Sequence, residues 1–140
     1  MPAMSQPPTR TDQAPCPCGA ALAHAECCAR WFGGARQLAA PDAALLMRSR
    51  YCAFVLQRAD YLLATWHPTT RPAAIDFEPG LRWLGLAIKR HAVVDEDQAL
   101  VEFVARSKLA GRAHRLHETS RFLKSDGRWF YLQGELHGPA

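Results

Sequence analysis

The chain has 140 residues, 49% of them hydrophobic, and a formal net charge of +4 at pH 7. This length suits one globular domain with a small appendage and excludes two domains of full size. The charge is too small to indicate nucleic-acid binding by itself. No stretch approaches the roughly 20 consecutive apolar residues that span a bilayer, and residues 1–15 do not resemble a secretory leader, so we expect a cytoplasmic protein.

The first quarter of the chain divides into a tail and a cysteine-rich unit. Residues 1–15 contain four of the ten prolines and few apolar side chains, a composition that predicts a disordered tail. Residues 16–36 contain four of the five cysteines. We predict that this second segment forms a separate knuckle-sized unit.

From Pro41 onwards the apolar pattern has the period of a helix. One stripe of side chains at helical spacing runs to about residue 57 and consists of Ala44, Met47, Tyr51, Phe54 and Val55. Asp42 lies near the positive end of this helix, where a carboxylate is favourable. A second short helix is predicted to be capped by Asp60 and to end before Pro68, because proline disfavours helical geometry in the preceding residue. Residues 70–80 are expected to form a loop with room for one helical turn.

After residue 80 the period changes to two. Four runs rich in β-branched and aromatic residues predict strands at Trp83–Val94, Ala99–Lys108, Ala113–Lys124 and Arg128–Glu135. Short polar turns connect the runs, so neighbouring strands should be antiparallel. Two helices followed by a four-stranded meander indicate an α+β fold, in which the sheet curls around the helices and buries one face against them.

The cysteine-rich unit has the spacing C-x-C-x8-C-C, formed by Cys16, Cys18, Cys27 and Cys28. Adjacent cysteines make a strained disulfide, and a reducing cytosol keeps thiols free. Four thiolates suit a tetrahedral zinc ion, and Gly19 lets the chain turn after the second cysteine. The spacing therefore predicts a closed, structural zinc site. The alternatives are a redox-active thiol with its pKa lowered by Arg30, and four incidental buried cysteines.

Several motifs resemble known families. The Cys16-Pro17-Cys18-Gly19 and Cys27-Cys28 pairs are similar to the SEC-C motif, a zinc knuckle first noted in the SecA preprotein translocase, where it contacts the SecB chaperone. Three further motifs resemble the YchJ family of small bacterial proteins. They are Met47-Arg48-Ser49-Arg50-Tyr51, Asp60-Tyr61-Leu62 with Thr65-Trp66-His67-Pro68, and Trp83 with Gly85-Leu86. The resemblance implies a nuclear transport factor 2-like (cystatin-like) cone over residues 41–136, an SEC-C knuckle over residues 16–36 with its four cysteines as zinc ligands, and no established activity.

A cone of this kind offers a cavity between its helices and its sheet. We predict six lining residues, namely Arg48, Tyr51, Trp66, His67, Glu118 and Trp129. Glu118 shares a strand face with Leu116, Ser120 and Phe122, which aims its carboxylate inward. Arg48 and Arg50 share the first helix with Tyr51 and Phe54, so at least one of the two arginines should lie at the edge of the buried face. Because a partly buried arginine is normally paired, we expect an ion pair with Glu102 or Glu118, with Arg48 as the partner of Glu118. A clamp on an anionic ligand is the alternative role for such an arginine. The solitary Cys52 is expected to be a small core residue.

Basic residues mark the opposite face of the same strand and the neighbouring hairpin: Arg106, Lys108, Arg112, Arg115, His117 and Arg121. We interpret this basic face as solvated, with RNA or ribosome contact as a weaker hypothesis because no aromatic residue alternates with the charges.

No nucleophile–base pair is recognisable in the sequence. The leading hypothesis is therefore a zinc-binding interaction protein, whose knuckle docks on a protein partner while the cone serves as a scaffold. The alternative is a small-molecule-binding enzyme that uses the cone cavity, with Glu118 or His67 as acid or base and Arg48 as an anion clamp.

Overall fold

A computed structural model of the chain describes residues 14–20, 22–33 and 37–137. The predicted tail lies outside these residues except for its last two. Ala14 accepts a hydrogen bond from the His24 backbone N–H at 3.0 Å, and Pro15 forms an isolated bridge with Ala23. The knuckle that follows contains two short 3₁₀ turns, His24–Glu26 and Cys28–Trp31.

Two α-helices follow the knuckle: α1 spans Ala43–Val55 and α2 spans Ala59–Ala64. Helix α1 begins two residues after Pro41, because Asp42 is its N-cap: the Asp42 carboxylate accepts a hydrogen bond from the Leu45 backbone N–H at 2.7 Å. The prediction that Asp60 caps α2 is wrong. Asp60 lies inside the first turn and pairs with Arg58, the residue that precedes the helix, at 3.2 Å. Residues 68–80 form a loop, which begins with a turn closed by hydrogen bonds from the backbone N–H groups of Thr70 and Arg71 to the carbonyl of His67.

The cap of α1 gives a direct test of how this helix is stabilised. We expect Asp42→Ala to lower the free energy of unfolding by about 1 kcal/mol, since an orphaned backbone N–H in the first turn loses its acceptor. Urea denaturation followed by circular dichroism measures the change. Asp76→Ala removes an exposed loop carboxylate and should stay within about 0.5 kcal/mol of the parent. Equal losses for the two variants would contradict the assigned capping role.

Four strands form a single antiparallel sheet in the order β1-β2-β3-β4. Their bounds are Arg82–Asp95 for β1, Gln98–Leu109 for β2, Arg112–Ser125 for β3 and Arg128–Leu136 for β4. The predicted meander is confirmed, and each strand is longer than predicted by one residue at one or both ends. The β2–β3 and β3–β4 turns, Ala110-Gly111 and Asp126-Gly127, have positive φ at both residues. These are the angles of type I′ hairpin turns, whose twist matches that of the flanking strands.

The main core lies between the helices and one face of the sheet. Alternate residues of β2 are buried there, among them Val101 and Phe103, together with Phe122 of β3 and Leu62 of α2. Helix α1 is buried on more than the single predicted stripe, because the knuckle packs on its other side. The fold is thus the predicted α+β arrangement, with α1 between the knuckle and the sheet. Within the described residues, no helix is long and apolar enough to cross a membrane.

Candidate metal centre and neighbouring cavity

The backbone of the knuckle folds the two cysteine pairs towards each other. The Cys16 backbone N–H donates to the carbonyl of Leu22 at 2.7 Å, and the Gly19 N–H donates to the carbonyl of Cys16 at 3.1 Å. Gly19 has a φ of +83°, a left-handed conformation that favours glycine. The chain therefore reverses immediately after Cys18, as the sequence predicts.

The four sulfur atoms of Cys16, Cys18, Cys27 and Cys28 lie within 4.8 Å of one another, and all four residues are buried. The Sγ–Sγ distance is 3.6 Å between Cys18 and Cys27 and 4.0 Å between Cys27 and Cys28. A tetrahedral ion with metal–sulfur bonds of about 2.3 Å separates its ligand atoms by about 3.8 Å. The donor set and its spacing therefore fit one tetrahedrally coordinated metal ion.

The pKa values of the cysteines in this cluster are shifted in different directions. Hydrogen bonds from Cys18 and Cys28 lower the pKa of Cys16, whereas burial and the neighbouring Cys18 raise the pKa of Cys27 to about 11. Hydrogen bonds to Cys16 and Cys18 raise the pKa of Cys28. Four adjacent thiolates repel one another in a buried site, so full deprotonation requires a cation among them.

Two further donors lie beside the cluster. The Cys52 Sγ is 3.3 Å from the Cys16 Sγ, and the His24 Nδ1 is 3.5 Å from the same sulfur. Cys52 is fully buried in α1, as expected of a core residue, but its contact with the knuckle was not predicted. The contact joins residues 36 apart in sequence, and no periodicity signals such a pair.

Arginines and aromatic rings attach the knuckle to the helices. Arg48 Nη1 donates to the carbonyl of Cys18 at 2.9 Å, and the rings of Phe32 and Tyr61 are 4.6 Å apart. Arg30, which was considered above as the residue that lowers a thiol pKa, makes its contact within the knuckle itself: its Nε donates to the carbonyl of Cys27 at 2.9 Å. The knuckle is thus joined to both helices by polar and apolar contacts.

The expected ion pairs of Arg48 are not formed. Arg48 is directed at the knuckle, and Glu102 instead pairs with His117 at 2.7 Å on the other face of the sheet. The hydrogen bond from His117 lowers the pKa of Glu102. Glu118 accepts a hydrogen bond from the Ser120 hydroxyl. Its carboxylate lies over Gly134, where a β-carbon would overlap it.

A cavity of about 230 Å³ lies between α1 and the sheet. Three of the six predicted lining residues face it, namely Tyr51, Trp66 and Glu118. The other walls are formed by Met47, Arg50, Phe54, Trp83, Phe103, Ala105, Leu116 and Tyr131. The cavity is therefore mostly apolar, with two charged side chains.

The remaining predicted lining residues lie elsewhere. Arg48 binds the knuckle carbonyl, the His67 Nδ1 is 2.7 Å from the Thr69 hydroxyl, and Lys124 lies 6.0 Å from the Trp129 ring. The arginine of the cavity is Arg50, whereas the prediction placed Arg48 there. Its spacing to the other cavity residues of α1, Met47, Tyr51 and Phe54, is the signal that could have identified it.

The side chains on the other face of the sheet behave as expected. The arginines and lysine of the predicted basic face are exposed, whereas His117 is half-buried in its contact with Glu102. The His117 ring also stacks on the His137 ring with centroids 3.9 Å apart. Glu102, His117 and His137 therefore make a further group of potential ligands, near the C-terminal end of the described residues.

Comparisons with known proteins agree with this architecture. The sequence profile described as "YchJ, middle NTF2-like domain" matches residues 42–134. A UPF0225 protein of Methylibium petroleiphilum is 64% identical over 126 residues, which cover 89% of this chain and 90% of the relative.

Two solved structures of SEC-C motif containing proteins are also similar. The solution structure from Rhodopseudomonas palustris has a TM-score of 0.76 at 30% identity and covers 89% of this chain and 100% of that one. The crystal structure from Psychrobacter arcticus has a TM-score of 0.75 at 26% identity and covers 93% of this chain and 86% of that one. The similarity therefore extends through both the cysteine-rich unit and the sheet.

Proposed function

Because the chain belongs to the YchJ family, whose middle domain is NTF2-like, we propose that it is a zinc-binding interaction protein. Its SEC-C knuckle, residues 16–36, would hold one zinc ion and dock on a protein partner, and residues 41–136 would serve as the scaffold. The observation that carries this proposal is the group of four buried cysteine sulfurs within 4.8 Å of one another.

Zinc is the ion that this donor set favours. Thiolates are soft ligands, and a tetrahedral set of four selects zinc or iron–sulfur chemistry over magnesium or calcium. Four protein ligands leave no open coordination position, which supports a structural role for the ion. The free thiols of Cys16, Cys18, Cys27 and Cys28 also suit the reducing cytoplasm in which we place the protein.

An exposed apolar residue on the knuckle supports the docking role. Leu22 lies in the loop between the two cysteine pairs, and 47% of its surface is exposed. Its side chain is therefore available to a partner, whereas its backbone carbonyl holds the loop through Cys16. The resemblance of the knuckle to that of the preprotein translocase supports a protein, including a ribosomal or translocase protein, as that partner.

The docking role is tested with a variant that keeps the metal ligands. We expect Leu22→Asp to retain its zinc and to lose the partner proteins that cross-link to the parent chain, because a buried carboxylate at an interface carries a desolvation cost. Quantitative mass spectrometry of cross-linked complexes measures the loss. The Cys27→Ser, Cys28→Ser double variant should lose the same proteins together with its zinc.

Val93→Asp provides a matched control. Val93 is 68% exposed and lies near the C-terminal end of β1. This variant should keep every knuckle-dependent partner. If Leu22→Asp and the double cysteine variant recover the same proteins as the parent, the docking role is excluded, whereas the zinc content of the parent independently decides the metal assignment.

A further inference from the structure

The cavity beside α1 contains a buried cation that makes no direct salt bridge with a carboxylate of the described residues. Arg50 is only 3% exposed, and its Nη1 donates to the carbonyl of Leu62 at 2.8 Å and to the hydroxyl of Thr65 at 2.7 Å. No carboxylate of the described residues lies within 4.0 Å of its guanidinium. A buried charge is normally paired, because the loss of hydration is costly.

The guanidinium has donors to spare. It carries five N–H groups in a rigid fork, and within residues 14–20, 22–33 and 37–137 its hydrogen bonds all leave from Nη1. Two aromatic rings that contact each other hold the group in place: its central carbon is 4.5 Å from the Tyr131 ring centroid and 5.2 Å from that of Trp66. Burial lowers the pKa of Arg50 to about 10, so it stays charged at neutral pH. Nη2 and Nε therefore form an orientated fork suited to a carboxylate.

The other walls of the cavity determine which kind of molecule could bring a carboxylate to Arg50. Aromatic rings of Phe54, Trp83 and Phe103 form much of its wall, which favours an apolar body. Glu118 lies on the wall too, where it accepts a hydrogen bond from Ser120 and attracts Arg50 only at longer range than a salt bridge. Because Glu118 already places one negative charge in this space, a ligand with two carboxylates would be repelled more strongly than a monocarboxylic acid.

We propose that this cavity binds a small monocarboxylic acid with an aliphatic or aromatic body, whose carboxylate pairs with Arg50. The site is separate from the sulfur cluster and does not depend on the proposed zinc-dependent docking. Arg50 would supply the bidentate contact, the aromatic walls would hold the body, and Leu116 would close one side.

Binding to the full-length parent protein tests this assignment without any substitution. The probes are 3-phenylpropanoate and octanoate, each compared with its own amide by isothermal titration calorimetry. We expect at least one acid to bind about tenfold more tightly than its amide, because only the acid makes charge-assisted hydrogen bonds. The indole N–H signals of Trp66 and Trp83 should shift on binding. No preference for either acid would overturn the proposal.

Two variants and a control locate the site. Arg50→Gln should abolish the preference for the acid, and Leu116→Trp should fill the cavity and weaken the acid and the amide alike. Arg58→Gln removes a partly exposed arginine that pairs with Asp60 and does not line the cavity, and it should leave both affinities unchanged. A preference that survives Arg50→Gln in folded protein overturns the assignment. If Arg50→Gln does not fold, Leu116→Trp decides the question: acid binding that is unchanged in this variant also overturns the assignment.

Discussion

Cys18→Ser is expected to reduce bound zinc from about one ion per chain to near zero and to unfold the knuckle while the sheet persists. The serine hydroxyl is a poor substitute for a thiolate, and Cys18 is fully buried among the other three cysteines. Structural zinc contributes about 10 kcal/mol or more to the folding of small units of this kind. Elemental analysis measures the metal, and amide NMR spectra report the two parts of the chain separately: signals of residues 16–33 should collapse and those of β2 and β3 should remain.

Cys52→Ser tests whether Cys52 is itself a metal ligand or only a neighbour of the four proposed ligands. Cys52 is the fifth buried cysteine and lies 3.3 Å from the sulfur of Cys16, but it belongs to α1 and not to the knuckle. We expect this variant to keep its zinc, because the four knuckle sulfurs of the proposed site would complete the tetrahedron without it. A Cys52→Ser protein without zinc, or a Cys18→Ser protein with a full complement, would show that the ligand set differs from the one proposed.

Phe122→Ala is expected to destabilise the domain by about 3–5 kcal/mol. Phe122 is fully buried in β3, and its ring centroid lies 5.8 Å from that of Tyr131 in an edge-to-face contact. Truncation removes these contacts and leaves a void that a closely packed core does not fill. Urea denaturation gives the free energy of unfolding.

Leu136→Ala is the control for this core substitution. It removes a large apolar side chain that is 64% exposed in β4. The expected change is within about 0.5 kcal/mol. A loss of less than about 1 kcal/mol for Phe122→Ala would show that the core can relax around the deletion, contrary to the close packing inferred here.

The strands and the first helix are predictable from sequence because they depend on local patterns. Alternation identifies all four strands, and the Gly111 and Gly127 turns require the left-handed backbone that glycine adopts freely. The cysteine pairs are recognisable for the same reason, since the spacing of Cys16 to Cys28 is itself local. The sequence also carries the resemblance to the YchJ family, to which the chain belongs.

The features that sequence reasoning missed arise from contacts between distant segments. Arg48 and Arg50 are two residues apart on α1 and so point in different directions, one to the knuckle and one to the cavity. Which arginine faces which partner depends on how the knuckle packs on α1. The sequence predicts that Cys52 is a core residue, but its contact with Cys16 depends on the same packing of the knuckle on α1 and is not predictable from a local pattern.

The register shifts of β1 affect how the protein behaves at high concentration. Strand β1 forms one border of the sheet, and its pairing with β2 is irregular at three places along its length. Lys89, Arg90 and His91 are exposed in its middle. An interrupted, positively charged border is a poor template for a strand from another molecule, so the architecture protects this long strand against intermolecular aggregation.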